Sequence, residues 1–155
     1  MANGLDRFVA RARERGLEVA PRRFDQGTRT AQDAATAIGC EVAQIVKSLV
    51  FVADDAPVLV LTSGANRVDE ARVAEHLGAR EVRKATAEEV RRATGYAIGG
   101  TPPFGHETPL EVLCDRDLLD HGEVWAAAGS ADSVFALRPG RLVELSGARP
   151  VRVAP

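Results

Sequence analysis

A chain of 155 residues with 45% hydrophobic and 27% charged side chains is long enough to bury a real core as one domain, spanning residues 1–155, and fits an ordinary globular protein. Its net charge of −2 argues against broad electrostatic binding of nucleic acid, though not against a local basic patch. Cys40 and Cys114 form no C-x-x-C pair, the N-terminus lacks a signal-peptide core, and no run approaches the ~20 apolar residues of a membrane span. These features point to reduced thiols, a cytoplasmic location and no membrane partner.

The elements follow in chain order. Leu5, Phe8, Val9 and Ala12 recur at helical spacing, with Gly16 as a stop. The first thirty residues hold seven Arg against four acids, which a charged, solvated helix face explains. Thr30 with Asp33 resembles a capping box and opens an Ala-rich helix ending near Gly39. Ile45–Val52 and Val58–Leu61 read as strands, and the Asp54-Asp55-Ala56-Pro57 break between them suits a hairpin. After a turn at Ser63–Asn66 comes a helix from about Val68 to Leu77, closed by Gly78. Thr86 and Glu89 form a capping-box pair for a helix that stops at Gly95. A strand at Tyr96–Ile98, a Gly/Pro loop from Gly99 to Pro109 and strands near Leu110–Cys114, Val124–Ala128 and Val134–Leu137 come next. A helix after Pro139 and a strand near Val151 complete a mixed α/β domain whose hairpins favour a largely antiparallel or mixed sheet.

Lys47 interrupts the apolar run Ile45–Val52. A charged ammonium in such a strand is costly unless it is paired or faces a cavity where it acts. Only two of the twenty basic residues are Lys, namely Lys47 and Lys84. A slender point donor in a chain that otherwise uses Arg marks Lys47 as a candidate functional residue. The alternative is a lysine on a solvent-facing strand position with its stem along apolar surface.

Gly99-Gly100-Thr101-Pro102-Pro103-Phe104-Gly105-His106 is the second informative segment. Glycines let backbone N–H groups approach a ligand and prolines stiffen the frame, so the loop is either a cradle for an anion or carbonyl oxygen or a rigid connection. Ala126-Ala127-Ala128-Gly129-Ser130 suits a shallow pocket wall or a close-packed strand end. His76, His106 and His121 are scattered without metal spacing, and His106 reads as a hydrogen-bonding structural residue. Asp54-Asp55 and Asp115-Arg116-Asp117 read as solvated turns.

Taken together, Gln44–Phe51, Gly64–Asp69, Ala97–His106 and Trp125–Ser130 resemble, in order, the YbaK-type aminoacyl-tRNA deacylases, relatives of the editing domain inserted in bacterial prolyl-tRNA synthetases. The resemblance spans about residues 5–153 and implies a mixed, barrel-like sheet surrounded by helices. It further implies a free-standing hydrolase, without metal or other cofactor, that removes a wrong amino acid from the 3′ end of a transfer RNA. The family's functional lysine falls on Lys47, its glycine-rich substrate loop on Gly99 to Gly105, and its second glycine wall on Gly129 with Ser130. Some relatives carry His or another polar residue where Ser130 stands, which leaves the amino acid open.

In that reading Lys47 holds phosphate or sugar oxygens of the terminal adenosine. N–H groups of Gly99, Gly100 or Gly129 meet the developing oxyanion, and the vicinal ribose hydroxyl with a held water replaces a protein base. Thr101, Pro102, Pro103, Phe104, Gly105 and His106 would frame the substrate, with Ala127, Ala128 and Phe104 bounding a small apolar pocket. Asn66 and Arg67 are either a polar rim near the terminal nucleotide or part of a turn. The expected partner is the acceptor end of an aminoacyl-tRNA, recognised directly or with an aminoacyl-tRNA synthetase; the oligomeric state stays open. Two rivals are a binding module of the same fold without catalysis and a hydrolase for another small acylated nucleotide.

Overall fold

The computed structural model describes residues 3–24 and 30–155. Helix α1 (Gly4–Glu14) begins where the Asn3 side chain accepts from the Asp6 N–H at 2.8 Å, and it buries Leu5, Phe8 and Ala12 along one stripe. Strand β1 (Arg22–Arg23) precedes helix α2 (Ala31–Ile38), which Thr30 caps through the Asp33 N–H and Gly39 ends in a left-handed conformation. A 3₁₀ turn at Val42–Gln44 leads into β2 (Ile45–Ala53) and β3 (Ala56–Ser63). Asp54 and Asp55, at φ 45° and 73°, make the two-residue turn that joins them.

Helix α3 (Glu70–Leu77) starts two residues later than its periodicity suggests, because Asp69 caps it by accepting from the Ala71 and Arg72 N–H groups. A short β4 (Val82–Lys84) and helix α4 (Ala87–Thr94) follow, the latter with a reciprocal capping box between Thr86 and Glu89. The C-terminal part holds β5 (Glu111–Asp115), a 3₁₀ helix at Arg116–Asp120, β6 (Val124–Ala127), β7 (Ser133–Leu137), α5 (Pro139–Ser146) and β8 (Arg149–Val151).

The eight strands among the described residues join one sheet in the order β1-β7-β6-β2-β3-β5-β8, with β4 added against β2. Four pairings are antiparallel and three are parallel, so the sheet is mixed and mostly antiparallel as the hairpins imply. Pro150 sits in β8 at one end of the path, where its missing N–H costs no ladder bond.

The strand period sorts the core. Val46 and Val50 of β2 face the larger cluster with Phe8, Leu59, Leu61 and Phe135, whereas Phe51, Val58 and Val60 pack with Val73 of α3 on the other side. Phe8 lies between Phe104 and Phe135 at centroid distances of 5.1 and 5.0 Å. Truncating a ring so fully enclosed costs about 3–5 kcal/mol, so Phe8 ties α1 to the sheet.

One expected strand is absent. Tyr96–Ile98 forms turns instead, because Gly95 is left-handed, Thr94 Oγ1 takes the Tyr96 N–H at 3.0 Å and Ala97 O accepts from Gly100 N–H. Among the described residues no helix is long and apolar enough to cross a membrane.

Candidate active site

A gap in the sheet builds the site. The outer edge of β2 pairs with β6 only at Ile45 and Val46, and with β4 only at Phe51–Ala53. Ile45 O accepts from Gly64 on the β3 side, while Val50 O accepts from Ala85 on the β4 side. The even-numbered residues of β2 therefore turn their backbone groups toward the gap, and Ser48 presents its N–H and C=O there, outside either ladder. A cavity of about 380 Å³ opens at this place, at the lower end of the ~300–1,000 Å³ usual for small-molecule sites.

Its walls come from distant parts of the chain. Ala31 and Ala34 of α2 stand on one side, Ile98, Gly99 and Thr101 of the glycine loop on another, and Trp125, Ala126 and Ala127 of β6 on a third. Lys47 and Lys84 are its only charged lining residues among those described, and none of the lining side chains is His, Cys, Asp or Glu. Ser48 also lines it, and its buried Oγ has no hydrogen-bond partner among the described residues. Nor do any three His, Cys, Asp or Glu side chains among the described residues converge as metal ligands.

Lys47 stands half-buried on the cavity wall and not on an open face of the strand, and its Nζ donates to Asn66 O at 2.6 Å. Burial pushes the ammonium below the usual lysine range, the positive charge of Arg67 adds to this, the Asp115 carboxylate opposes it, and Lys84 contributes a little more lowering. Neither Asn66 nor Arg67 lines the cavity: Asn66, in the turn after β3, receives the Lys47 ammonium on its backbone carbonyl, and Arg67 beside it is exposed.

Asp115 departs from expectation. It is 1% exposed and no part of a solvated turn: its carboxylate accepts from Ser63 N–H at 3.1 Å, from Asn66 Nδ2 at 2.8 Å and from Asp117 N–H at 3.0 Å. The local pattern Asp-Arg-Asp looks like surface, and only the parallel pairing of β3 with β5 puts it beneath Ser63.

The two glycine loops meet each other. A Cβ on Gly100 would lie 2.9 Å from Ser130 Cα, and Gly129, at φ 104°, sits so tightly against Gly4 that neither position has room for a side chain. Of the loop residues, Gly99 and Thr101 reach the cavity. The N–H of Gly100 is already given to Ala97 O at 3.1 Å, which removes it from the set of free oxyanion donors. Ser130 turns away: its Oγ donates to Asp132 Oδ1 at 2.8 Å and lies 2.5 Å from Ser133 Oγ.

Pro102, Pro103, Gly105 and Ala128 are buried behind the wall. Phe104 does not bound the cavity, being 2% exposed in the aromatic cluster with Phe8 and Phe135. His106 borders a separate hollow of about 330 Å³ with Arg15 and Ser146, donates from Nε2 to Pro102 O at 2.7 Å, and is held below the usual histidine range by burial.

The arginines of α1 are not a merely solvated face. Arg7 donates to Gly95 O and Arg11 to Gly105 O, both at 2.8 Å, and Arg11 also meets Glu107 at 2.8 Å. The helix thus holds the end of α4 and the glycine loop side by side. Arg29, which belongs to the same basic stretch, lies outside the described residues.

Known proteins share this fold. Residues 25–145 match the family described as aminoacyl-tRNA editing domain. The proline–tRNA ligase of Ligilactobacillus salivarius is 35% identical over 107 residues, 69% of this chain and 18% of the ligase. The uncharacterized protein YwhH of Bacillus subtilis is 33% identical over 124 residues, 79% of this chain and 78% of YwhH. A solved structure described as "a putative trans-editing enzyme for prolyl tRNA synthetase" has a TM-score of 0.94 at 42% identity, covering 100% of this chain and 99% of that one. This chain spans about a fifth of the length of the prolyl-tRNA ligase it matches.

Proposed function

The chain belongs to the aminoacyl-tRNA editing domain family, and from that premise we propose that it hydrolyses the ester joining a small, wrongly attached amino acid to the 3′ end of a transfer RNA. The observation that carries this reading is a half-buried lysine on the wall of a largely apolar cavity that offers cationic side chains but no acid, histidine or cysteine among its described lining. Such a cavity suits an anionic nucleotide end with an apolar substituent, and it supplies no side-chain base.

The chemistry asks little of the protein. Water adds to the ester carbonyl, the C–O bond to the ribose breaks, and free amino acid and a ribose hydroxyl result. With no base on the wall, the vicinal hydroxyl of the ribose and a held water take that part. Lys47 holds phosphate or sugar oxygens of the terminal adenosine and so fixes the ester in place. For the oxyanion, backbone groups at Gly99 and at the unpaired edge of β2 around Ser48 face the cavity. The Gly129 loop acts behind them by packing.

The walls at Ala31, Ala34, Ala126 and Ala127 favour small amino acids. A single methylene is worth only ~1–3 kcal/mol of discrimination, so several small substrates are expected to react. The acceptor end of the tRNA is the proposed partner, the prolyl-tRNA ligase relatives support a link to that synthetase, and such a substrate puts the work in the cytoplasm. The test is a panel of Ala-, Ser-, Thr- and Cys-charged tRNAs. Release of at least one identifies the substrate, whereas silence across the panel with intact tRNA binding means a module that binds without turnover.

A further inference from the structure

We infer that Asp115 is the positioning residue for Lys47, acting through Asn66; the inference deepens the deacylase reading and rests on it for its kinetic arm. Lys47 Nζ donates to Asn66 O at 2.6 Å, and the Asn66 side chain donates from Nδ2 to Asp115 Oδ2 at 2.8 Å. Asp117 Oδ2 takes the same amide at 2.8 Å, and Ser63 N–H at the end of β3 bonds Asp115 at 3.1 Å. One buried carboxylate thus clamps the end of β3, the turn after it and the 3₁₀ helix after β5, and the carbonyl this clamp orients receives the ammonium.

A carboxylate 1% exposed is costly unless its lone pairs are filled and a positive charge stands near. The three N–H donors fill the lone pairs, and Lys47 supplies the charge one residue away. The charged groups facing Lys47 are Arg67 from the turn after β3, Lys84 from β4 and Asp115 from β5, and among them only Asp115 favours the ammonium. Removing its charge leaves two cations and burial, all acting to drive the proton off.

The experiment exploits the lysine count. Protein labelled with ¹³C-lysine gives signals from Lys47 and Lys84 alone, the only two lysines of the chain, and Lys47→Ala assigns them. In Asp115→Asn, which keeps an acceptor and the shape, the Lys47 signal is expected to titrate at lower pH than in the wild type. The kcat for deacylation should fall by about tenfold or more with KM changed less, and the alkaline limb of its pH profile should move down. A Lys47 titration and a kcat within about twofold of wild type overturn the inference. If Asp115→Asn fails to fold, Asn66→Ala decides, since it removes the side-chain link alone: a lowered Lys47 titration supports the clamp, an unchanged one sinks it. A wild type silent on every tRNA would defeat the deacylase reading, while the lysine titration would still judge the clamp.

Discussion

Gly100 and Ser130 touch through their backbones, with 2.9 Å between the Ser130 Cα and the place a Cβ of Gly100 would take. This contact joins two glycine loops that lie thirty residues apart in the chain and sets one wall of the cavity. Gly100→Ala must push the loops apart or displace Gly99, and an overpacked contact of this kind costs about 1–3 kcal/mol. Gly99→Ala meets open space, its nearest neighbour being Ala131 Cβ at 3.9 Å, and suffers only from its φ of 88°. Urea unfolding should show both variants destabilised. Deacylation should fall in both, because both move the Gly99 backbone.

Arg11 is expected to matter for the loop without touching the cavity. It donates to Gly105 O and Glu107. The bond from its charged guanidinium to the part-buried Gly105 O is worth about 1.5–3 kcal/mol, and the exposed pair with Glu107 adds little. Arg11→Ala should speed amide exchange across residues 95–107 while leaving α2 and β3 as protected as before. Uniform exchange would mean that α1 does not hold the loop.

The lowered Lys47 titration has a sign that can be checked from both sides. The folded state disfavours the ammonium, so the unfolded chain binds the proton more tightly, and stability rises with pH across the interval between the lowered value and the ordinary one near 10.5. Activity moves oppositely, since it needs the ammonium: its alkaline limb should lie below the ordinary lysine range. Arg67→Gln removes one cation that pushes Lys47 down, so that limb should move up, whatever happens to KM. A limb that stays put would exclude Arg67 as a cause.

At the acid end, Glu89 is held down to about 2 by its hydrogen bonds with Arg83, and then with the Thr86 backbone. What the ionised Glu89 adds to α4 is fully present above its unfolded value, near 4.5, and is lost as the pH falls through about 2. Thr86→Ala removes the other half of the capping box and should cost about 1 kcal/mol at neutral pH. Chemical denaturation at pH 7 and pH 3 measures both.

Cys114 is fully buried, and burial with the neighbouring Asp115 charge pushes its thiol up to about 12. Cys40 is only part-buried. A thiol reagent at pH 8 should label Cys40 slowly and Cys114 only after unfolding. Fast labelling of both in the native protein would mean that β5 opens readily.

Local chemistry made much of the fold legible. Thr30 with Asp33, Thr86 with Glu89, and the apolar run interrupted by Lys47 act within a few residues, so caps, hairpin and the odd lysine could be read directly. The two- and three-residue strands at Arg22–Arg23 and Val82–Lys84 carry no period and exist only because an edge of β7 or β2 receives them. Tyr96–Ile98 has strand-like residues, but Thr94 and Gly95 bend the backbone into turns.

Of the candidate site, only part of the lining was legible in the sequence. Lys47, Gly99 and Thr101 line the cavity, whereas Phe104 fills the core and His106 a hollow elsewhere. Asp115 could not be found from its neighbours in the chain, because burial of its carboxylate depends on β3 lying alongside β5. The free edge of β2 is likewise a property of where β6 leaves and β4 arrives.

The measurement that bears most directly on the account is single-turnover deacylation of mischarged tRNA by wild type and Lys47→Ala, with a thermal melt of each. Wild type is expected to release the amino acid and Lys47→Ala, still folded, to lose most of that rate. Equal rates from the two proteins would contradict this and move the chemistry away from the lysine on the cavity wall.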